Sequence, residues 1–395
     1  MKKSLVALAA LASFGAMAQS SFTVYGLLDA GIRQDSNGAK TSAGATQSQT
    51  QFLNGVLNTS RFGIKGSQDL GSGNKANFKL ESGLKVGNGE STGNTVTTSA
   101  VPTTSTTVYQ NGNSTLFDRT ASVGLQSSLG MVDFGRVTSF AYDLTGSYAI
   151  DPMGLEMTNN NQNTGVKAFN PNPFGLLIGS SFYTVRRDNT IKYVGTFDNL
   201  SVGLAYSLAG NAGSQTPGSS TQAMAKYSTP MFTVAGSGDS VQDANGLKQT
   251  LNTFGGNVTV SGFKLTAGTA QMKTPAGFVP VAQTFLNSAY SNPAGYILGG
   301  VSTQDTKLNV NDFGVAYQLG SYNIVGAYYN TKIQQAGLSD NTFNSYMVRV
   351  RYALHTTTDL FVEADSTKSS GLDTAKTAGL SSTNTGFTLG VQYRF

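Results

Sequence analysis

The end of the chain constrains its fold more than any other feature. It reads Thr385-Gly-Phe-Thr-Leu-Gly-Val-Gln-Tyr-Arg-Phe395. Successive side chains of a strand point to opposite faces. Phe387, Leu389, Val391, Tyr393 and Phe395 therefore form one wholly apolar face. Gly386, Thr388, Gly390, Gln392 and Arg394 form the other. A half-buried strand of a soluble sheet can alternate in this way, so the rest of the chain must decide.

The same alternation recurs from residue 21 to the end. Phe22, Val24, Gly26, Leu28, Ala30 and Ile32 share a face, as do Val202, Leu204, Tyr206 and Leu208. It places strands near 21–33, 56–69, 75–86, 116–128, 131–138, 186–195, 200–208, 221–229, 231–239, 249–259, 262–272, 306–318, 321–332, 342–354, 357–367 and 385–395. Alternate links are tight: 70–74, 129–130, 196–199, 230, 261, 320 and 355–356. The others are long and polar: 34–55, 87–115, 139–185, 209–220, 240–248, 273–305, 333–341 and 368–384. A soluble sandwich has no reason to keep that parity, whereas a barrel with short periplasmic turns and long external loops requires it.

Composition points the same way. Only 12% of residues are charged and mean hydropathy is -0.14, against about 25% charged in an ordinary soluble domain. No later apolar run is long enough for a spanning helix. Alternating lipid-facing and water-facing residues reconciles low charge with modest hydropathy. The expected fold is an all-β, 16-stranded antiparallel transmembrane β-barrel in one domain, 19–395. Residues 1–18 read as a cleaved signal peptide: Lys2 and Lys3, the apolar run Leu5–Phe14, then Ala16-Met17-Ala18. An uncleaved anchor helix is the alternative for that segment.

The segment Ser60-Arg-Phe-Gly-Ile-Lys-Gly-Ser-Gln-Asp-Leu-Gly-Ser-Gly73, followed by Ala76-Asn-Phe-Lys-Leu-Glu-Ser-Gly83, resembles the trimeric Gram-negative general porins, especially those of β-proteobacteria. So do Val24-Tyr-Gly-Leu-Leu-Asp-Ala-Gly31, Phe117-Asp-Arg119, Phe134-Gly-Arg136, Arg186-Arg-Asp-Asn-Thr-Ile-Lys-Tyr193 and the terminal Tyr393-Arg-Phe395. Gln68 stands where the family carries Glu, and loops 87–115 and 273–305 are longer than the family's. The resemblance implies an outer-membrane channel for passive diffusion of ions and small hydrophilic solutes. It further implies a homotrimer, contact with outer-membrane lipid and lipopolysaccharide, and recognition of Phe395 by the barrel-assembly machinery.

In that family the third external loop folds into the lumen. The third and longest link here is 139–185, which carries Asp143, Asp151, Glu156 and Lys167. Alternation puts Arg61, Lys65, Lys79, Glu81 and Lys85 on the polar face of the second and third strands, and Arg186, Asp188 and Lys192 on that of the sixth. Arg119 and Arg136 share parity with apolar residues, so strict alternation points them outward. The resemblance places them in the lumen, and the reading follows it. The expected constriction is Arg61, Lys79, Glu81, Arg119, Arg136, Asp143, Asp151 and Arg186. Its cationic excess predicts a modest anion preference. Arg349 and Arg351 opposite Glu363 and Asp365 read as cross-strand salt pairs.

Other functions find less support. The single histidine, His355, falls in an expected tight periplasmic turn away from the external loops and reads as a turn residue, so no Ser-His-Asp arrangement is expected. Cysteine is absent, and no metal-ligand spacing or phosphate loop appears. No enzymatic activity, cofactor or metal is expected. The formal charge of +5, with Lys2 and Lys3 in the leader, gives no reason to expect nucleic-acid binding. A substrate-selective channel, for organic anions for example, and a surface adhesin or receptor barrel are the alternatives to a general channel.

Overall fold

The alternating faces become the two surfaces of one closed antiparallel sheet. The computed structural model describes residues 20–40, 46–92, 115–156, 172–173, 185–209, 218–243, 245–278, 304–337, 339–371 and 383–395. The proposed leader at 1–18, most of loops 87–115 and 273–305, and Lys167 lie outside them.

The strands are β1 (Ser20–Lys40), β2 (Thr46–Asn54), β3 (Arg61–Gly71), β4 (Asn74–Gly83), β5 (Thr120–Ser127), β6 (Gly130–Thr138), β7 (Arg186–Phe197), β8 (Leu200–Ser207) and β9 (Ser220–Ser228). They continue with β10 (Phe232–Gln242), β11 (Lys248–Val260), β12 (Phe263–Thr274), β13 (Thr306–Leu319), β14 (Tyr322–Gln335), β15 (Asn341–His355), β16 (Thr358–Ser370) and β17 (Thr383–Arg394). One helix, α1 (Phe140–Gly146), follows β6. Each strand from β3 onward pairs with the next. The ring closes where β17 meets β1, from Leu27↔Arg394 to Ser36↔Thr385. Phe395 extends that seam: its N–H donates to Gly26 O at 3.1 Å, and Gly26 N–H donates to Phe395 O at 3.0 Å. A Cβ at Gly26 would meet the tip of the Phe395 ring, so a larger residue there would have to displace that ring.

The seventeen segments fill sixteen positions, because β2 and β3 lie end to end along β1. β2 pairs with the upper half of β1, from Ala30↔Asn54 to Lys40↔Thr46. β3 pairs with the lower half, from Ser20↔Gln68 to Leu27↔Arg61. This corrects two expectations. The link 34–55 is mostly strand, and the strand expected over 56–69 begins only at Arg61. Residues 55–60 turn inward instead, held by Asp29. Its buried carboxylate accepts N–H groups from Val56 (2.6 Å), Leu57 (3.2 Å) and Asn58 (3.2 Å), and the Gln392 amide at 2.8 Å. Gly55 sits at φ +75°, which starts the break. The polar run of β2 looks like a loop in sequence because it lies toward the external end. There the outer face meets water and needs no apolar stripe.

Around the belt, Phe62, Phe78, Val123, Leu204, Phe254, Phe313, Tyr346 and Leu389 are exposed on the outer face. Continuous exposed apolar surface of this kind suits lipid. The interior departs from a uniformly polar lumen. Leu251, Met272, Leu308, Val310, Tyr329, Ile333 and Phe343 are buried on inner faces of β11 to β15, packed in one cluster with Leu53, Leu57 and Met153. That side of the barrel is filled, which leaves the passage to the other. His355 ends β15 at a short turn and is exposed, with Nδ1 3.1 Å from Thr357 Oγ1.

Candidate functional site

The chain enters the lumen directly after β6. Ser139 caps α1, its Oγ accepting the Tyr142 N–H at 3.3 Å, and Asp143 sits in the first turn. Both features favour a helix start. Phe140, Ala141, Leu144 and Thr145 are buried, and the Phe140 N–H donates to Gln222 Oε1 of β9 at 3.1 Å. Tyr142 and Asp143 are only half-buried and belong to the cavity described below.

The segment then crosses to the far wall. Tyr148 O accepts from Asn257 Nδ2 (3.1 Å) and Lys264 Nζ (3.0 Å) on β11 and β12. Asp151 is fully buried. It accepts from Tyr329 Oη at 2.6 Å, from the Met153 and Leu155 N–H groups at 3.0 Å each, and from Asn172 Nδ2 at 3.2 Å. Burial raises the Asp151 pKa against the pull of these donors. Glu156, also fully buried, pairs with both Arg349 and Arg351 of β15 and accepts from Tyr148 Oη at 2.8 Å. This corrects the cross-strand pairing expected for the two arginines. Although Arg349 stands opposite Glu363 in register, it joins the lumenal segment. Asp365 pairs with Arg33 of β1 at 2.6 Å.

Between α1 and the wall formed by β1 and β3 to β7 remains a cavity of about 590 Å³. Six cationic side chains line it: Arg61, Lys65, Lys79, Arg119, Arg186 and Lys192. Three carboxylates do: Glu81, Asp133 and Asp143. Glu81 is saturated, accepting from Arg119 Nε (2.7 Å) and Tyr25 Oη (2.9 Å), with Lys79 Nζ at 3.4 Å. Asp143 is bonded to Lys192 Nζ at 2.5 Å and Thr138 Oγ1 at 2.6 Å. Arg61, Lys65 and Arg186 have no carboxylate at ion-pair distance among the described residues. Lys65 lies over the Tyr25 ring, 5.4 Å from its centroid, and Arg186 over that of Tyr142 at 5.5 Å. Burial raises the Tyr142 pKa, but the positive charge of Arg119, Arg186 and Arg61 outweighs it and holds the phenol below its ordinary value.

Of the eight residues expected at the constriction, Arg61, Lys79, Glu81, Arg119, Asp143 and Arg186 come together around this cavity. Two do not line it. Asp151 is locked into the opposite wall. Arg136 pairs with Asp188 and donates from Nε to Asp118 O at 2.6 Å. The parity conflict at Arg119 and Arg136 has a backbone cause. Arg119 precedes β5, so strand alternation does not reach it. At Arg136 the β6–β7 register shifts between Gly135 and Val137, with Gly135 at φ +131°. Such a bulge re-aims the side chains beyond it.

Sequence reasoning missed Tyr25, Asp133, Tyr142 and Arg187. Asp133 was findable, since it alternates with Val132 and Phe134. Arg187 was not: it lies beside the same bulge, is buried, and reaches Asp239 of β10 at 3.6 Å.

A closed barrel with an apolar outside and a charged lumen narrowed by its own chain has the architecture of a porin-type channel. The family model for Gram-negative porins matches residues 4–372. An outer membrane porin protein of Bordetella pertussis is 37% identical over 224 residues, covering 53% of this chain and 49% of the relative. Outer membrane porin protein 32 of Delftia acidovorans is 42% identical over 94 residues, 24% of this chain and 25% of the relative. The matched regions thus span about half the length of the first relative and a quarter of the second. The anion-selective porin from Comamonas acidovorans superposes with a TM-score of 0.66 at 18% identity, covering 95% of this chain and 100% of that one. The trimer form of OmpT from Vibrio cholerae does so at 0.59 and 12%, covering 95% of this chain and 100% of that one. At such identities these structures speak for the fold alone. The chain belongs to the Gram-negative porin family and is a β-barrel of the outer membrane.

Proposed function

We propose that the chain forms a water-filled channel for passive diffusion of ions and small hydrophilic solutes, with a modest preference for anions. One observation carries the preference: six cations face three carboxylates around the cavity, and Glu81 and Asp143 are already engaged by protein cations. The field left over comes from Arg61, Lys65 and Arg186. In a narrow passage with low-dielectric walls, such a field raises the local concentration of counter-ions. The constriction is then Arg61, Lys79, Glu81, Arg119, Asp143 and Arg186, with Arg136 shaping the wall behind it and Asp151 the far hold of the lumenal segment. An anion-selective porin among the structural neighbours agrees with this reading.

The working form is a homotrimer, in keeping with the OmpT trimer of the same fold. Residues 1–18 serve as the export signal, and Phe395 presents the barrel to the assembly machinery. Reversal potentials in a salt gradient across a planar bilayer test the selectivity. Anion preference is expected, and a clear cation preference would overturn it. Concentration-dependent current block by individual solutes would point instead to a substrate-selective channel. Absence of defined conductance steps would point to a receptor barrel.

A further inference from the structure

Asp29 carries the least expected charge in the barrel wall. It lies on β1 and is fully buried. Arg33, four residues on along the same face of the strand, is taken by Asp35 and Asp365. Among the described residues Asp29 itself has no cation at ion-pair distance. A turn can be closed without a charge. Burying an unpaired carboxylate is costly, and well-packed apolar residues often hold a fold as firmly.

The residue stands at a break in the sheet. On one side of the break β1 pairs with β2 from Ala30↔Asn54 onward, and on the other with β3 as far as Leu27↔Arg61. Leu28 and Asp29 have no strand partner along that edge, and the inward turn at 55–60 takes its place. The Asp29 N–H donates to Ser60 Oγ at 2.8 Å. Asp29 O accepts from the Gly55 N–H at 2.8 Å and from Ser60 Oγ at 3.0 Å. Three consecutive N–H groups, of Val56, Leu57 and Asn58, converge on the carboxylate, as they would on an anion in a nest. The Gln392 amide joins them from β17, so one carboxylate fixes the turn against two strands. Val56 packs where Gly31 has no side chain, its Cγ2 3.0 Å from the position of a Cβ there.

The turn ends at the passage. Arg61 is the first residue of β3 and lines the cavity. Its Nε donates to Thr59 O at 2.9 Å. A guanidinium is a rigid planar fork, so a bond at Nε sets where its two terminal nitrogens point. The carbonyl that holds it belongs to the residue between Asn58, bonded to the Asp29 carboxylate, and Ser60, bonded to the Asp29 backbone. Asp29 thus grips the chain on both sides of the one group that orients Arg61.

We propose that Asp29 is a positioning residue for ion selection: with Ser60 it holds Thr59 O where that carbonyl aims the Arg61 guanidinium into the passage. The proposal rests on the reading of Arg61 as a selectivity residue. Buried as it is, the Asp29 carboxylate meets no passing ion. Its own negative charge opposes anion preference. Its effect through Arg61 and its effect as a charge therefore have opposite signs.

A double-mutant cycle tests it, read as the anion-to-cation permeability ratio from reversal potentials in a planar bilayer. The full chain is folded as wild type, as Asp29→Asn, Ser60→Ala and Arg61→Ser, and as each of the first two combined with Arg61→Ser. Both carboxylate oxygens accept N–H groups, so Asp29→Asn turns its amide nitrogen toward a donor. It also removes a negative charge. Charge alone would raise the ratio, whereas loss of aim lowers it, and a fall toward the ratio of Arg61→Ser is expected. Ser60→Ala changes no charge and is expected to lower the ratio too. Neither change is expected to lower it further once Arg61 is serine. Defined single-channel steps report folded protein, and if Asp29→Asn gives none, Ser60→Ala decides alone. A ratio that holds or rises in Asp29→Asn, an unchanged ratio in Ser60→Ala, or an equal fall with and without Arg61 would each overturn the proposal. A cation-preferring wild type would overturn the selectivity reading alone, because the cycle reads coupling from any starting ratio.

Discussion

The two ends of the lumenal segment face opposite walls and are built on opposite principles. At its start, α1 turns Tyr142 and Asp143 toward the cavity of about 590 Å³ lined by cations. At its far end, Asp151 and Glu156 are fully buried and bonded to Tyr329 and to Arg349 and Arg351. Both ends use carboxylates beside arginine, lysine or tyrosine. Burial separates them. A charge facing water acts on passing ions, whereas a charge stripped of water serves mainly to hold its partners, because breaking the arrangement strands an unpaired ion. Filling one side of the barrel is what makes the other side a narrow, charged passage.

The division implies a ranking of perturbations. The largest effect is expected from Glu156→Gln. It leaves the buried Arg349 without its ion-pair partner and leaves Arg351 only Asp359, at 4.0 Å, and losing one partner of a buried pair costs about 3–5 kcal/mol. Urea or thermal unfolding should register the loss. Single-channel records should show a larger, noisier conductance as the segment loosens. An unchanged midpoint and unchanged conductance would mean that the far end is no anchor.

Changes on the passage side should leave stability alone and move selectivity. Arg61→Ser with Arg186→Ser removes two cations that have no carboxylate at ion-pair distance among the described residues. The anion-to-cation permeability ratio from reversal potentials should fall several-fold while the unfolding midpoint stays close to wild type. If stability falls instead, the contrast between the two ends is lost.

A smaller, pH-dependent effect should come from Tyr142. Its ordinary value of 10.0 is lowered, so the phenol ionises earlier than a free tyrosine as pH rises. The sign follows: below that range it is neutral, and through it a negative charge appears among Arg61, Arg119 and Arg186. Anion preference should therefore decline on raising the pH toward 10, and Tyr142→Phe should remove that decline. The smallest change is expected from Asp143→Asn. It frees Lys192 from its 2.5 Å partner and should raise anion preference slightly.

Much of this was legible in the chain. The period-two alternation at Phe387–Phe395 and the tight-then-long parity of the links located the strands of β3 to β17 to within a few residues. They also set which of their faces meets lipid along the apolar belt. Arg61, Lys79 and Glu81 followed from parity alone. The misses share a cause. β2 carries no apolar stripe because it stands where water replaces lipid. The inward turn at 55–60 depends on Asp29, which lies on another strand. Arg119 and Arg136 violate alternation because a strand end and a bulge interrupt it.

What the sequence by itself determined is thus the local part: side chains on a strand alternate by geometry, so the lipid face is written residue by residue. Only the tertiary structure decided which wall the lumenal segment fills. Only it showed that Glu156 claims Arg349 from Glu363, and that Asp151 holds rather than lines. Those outcomes depend on contacts between residues far apart in the chain, whose energies hinge on burial. Burial belongs to the closed barrel and to no single strand, not even the one that closes the ring.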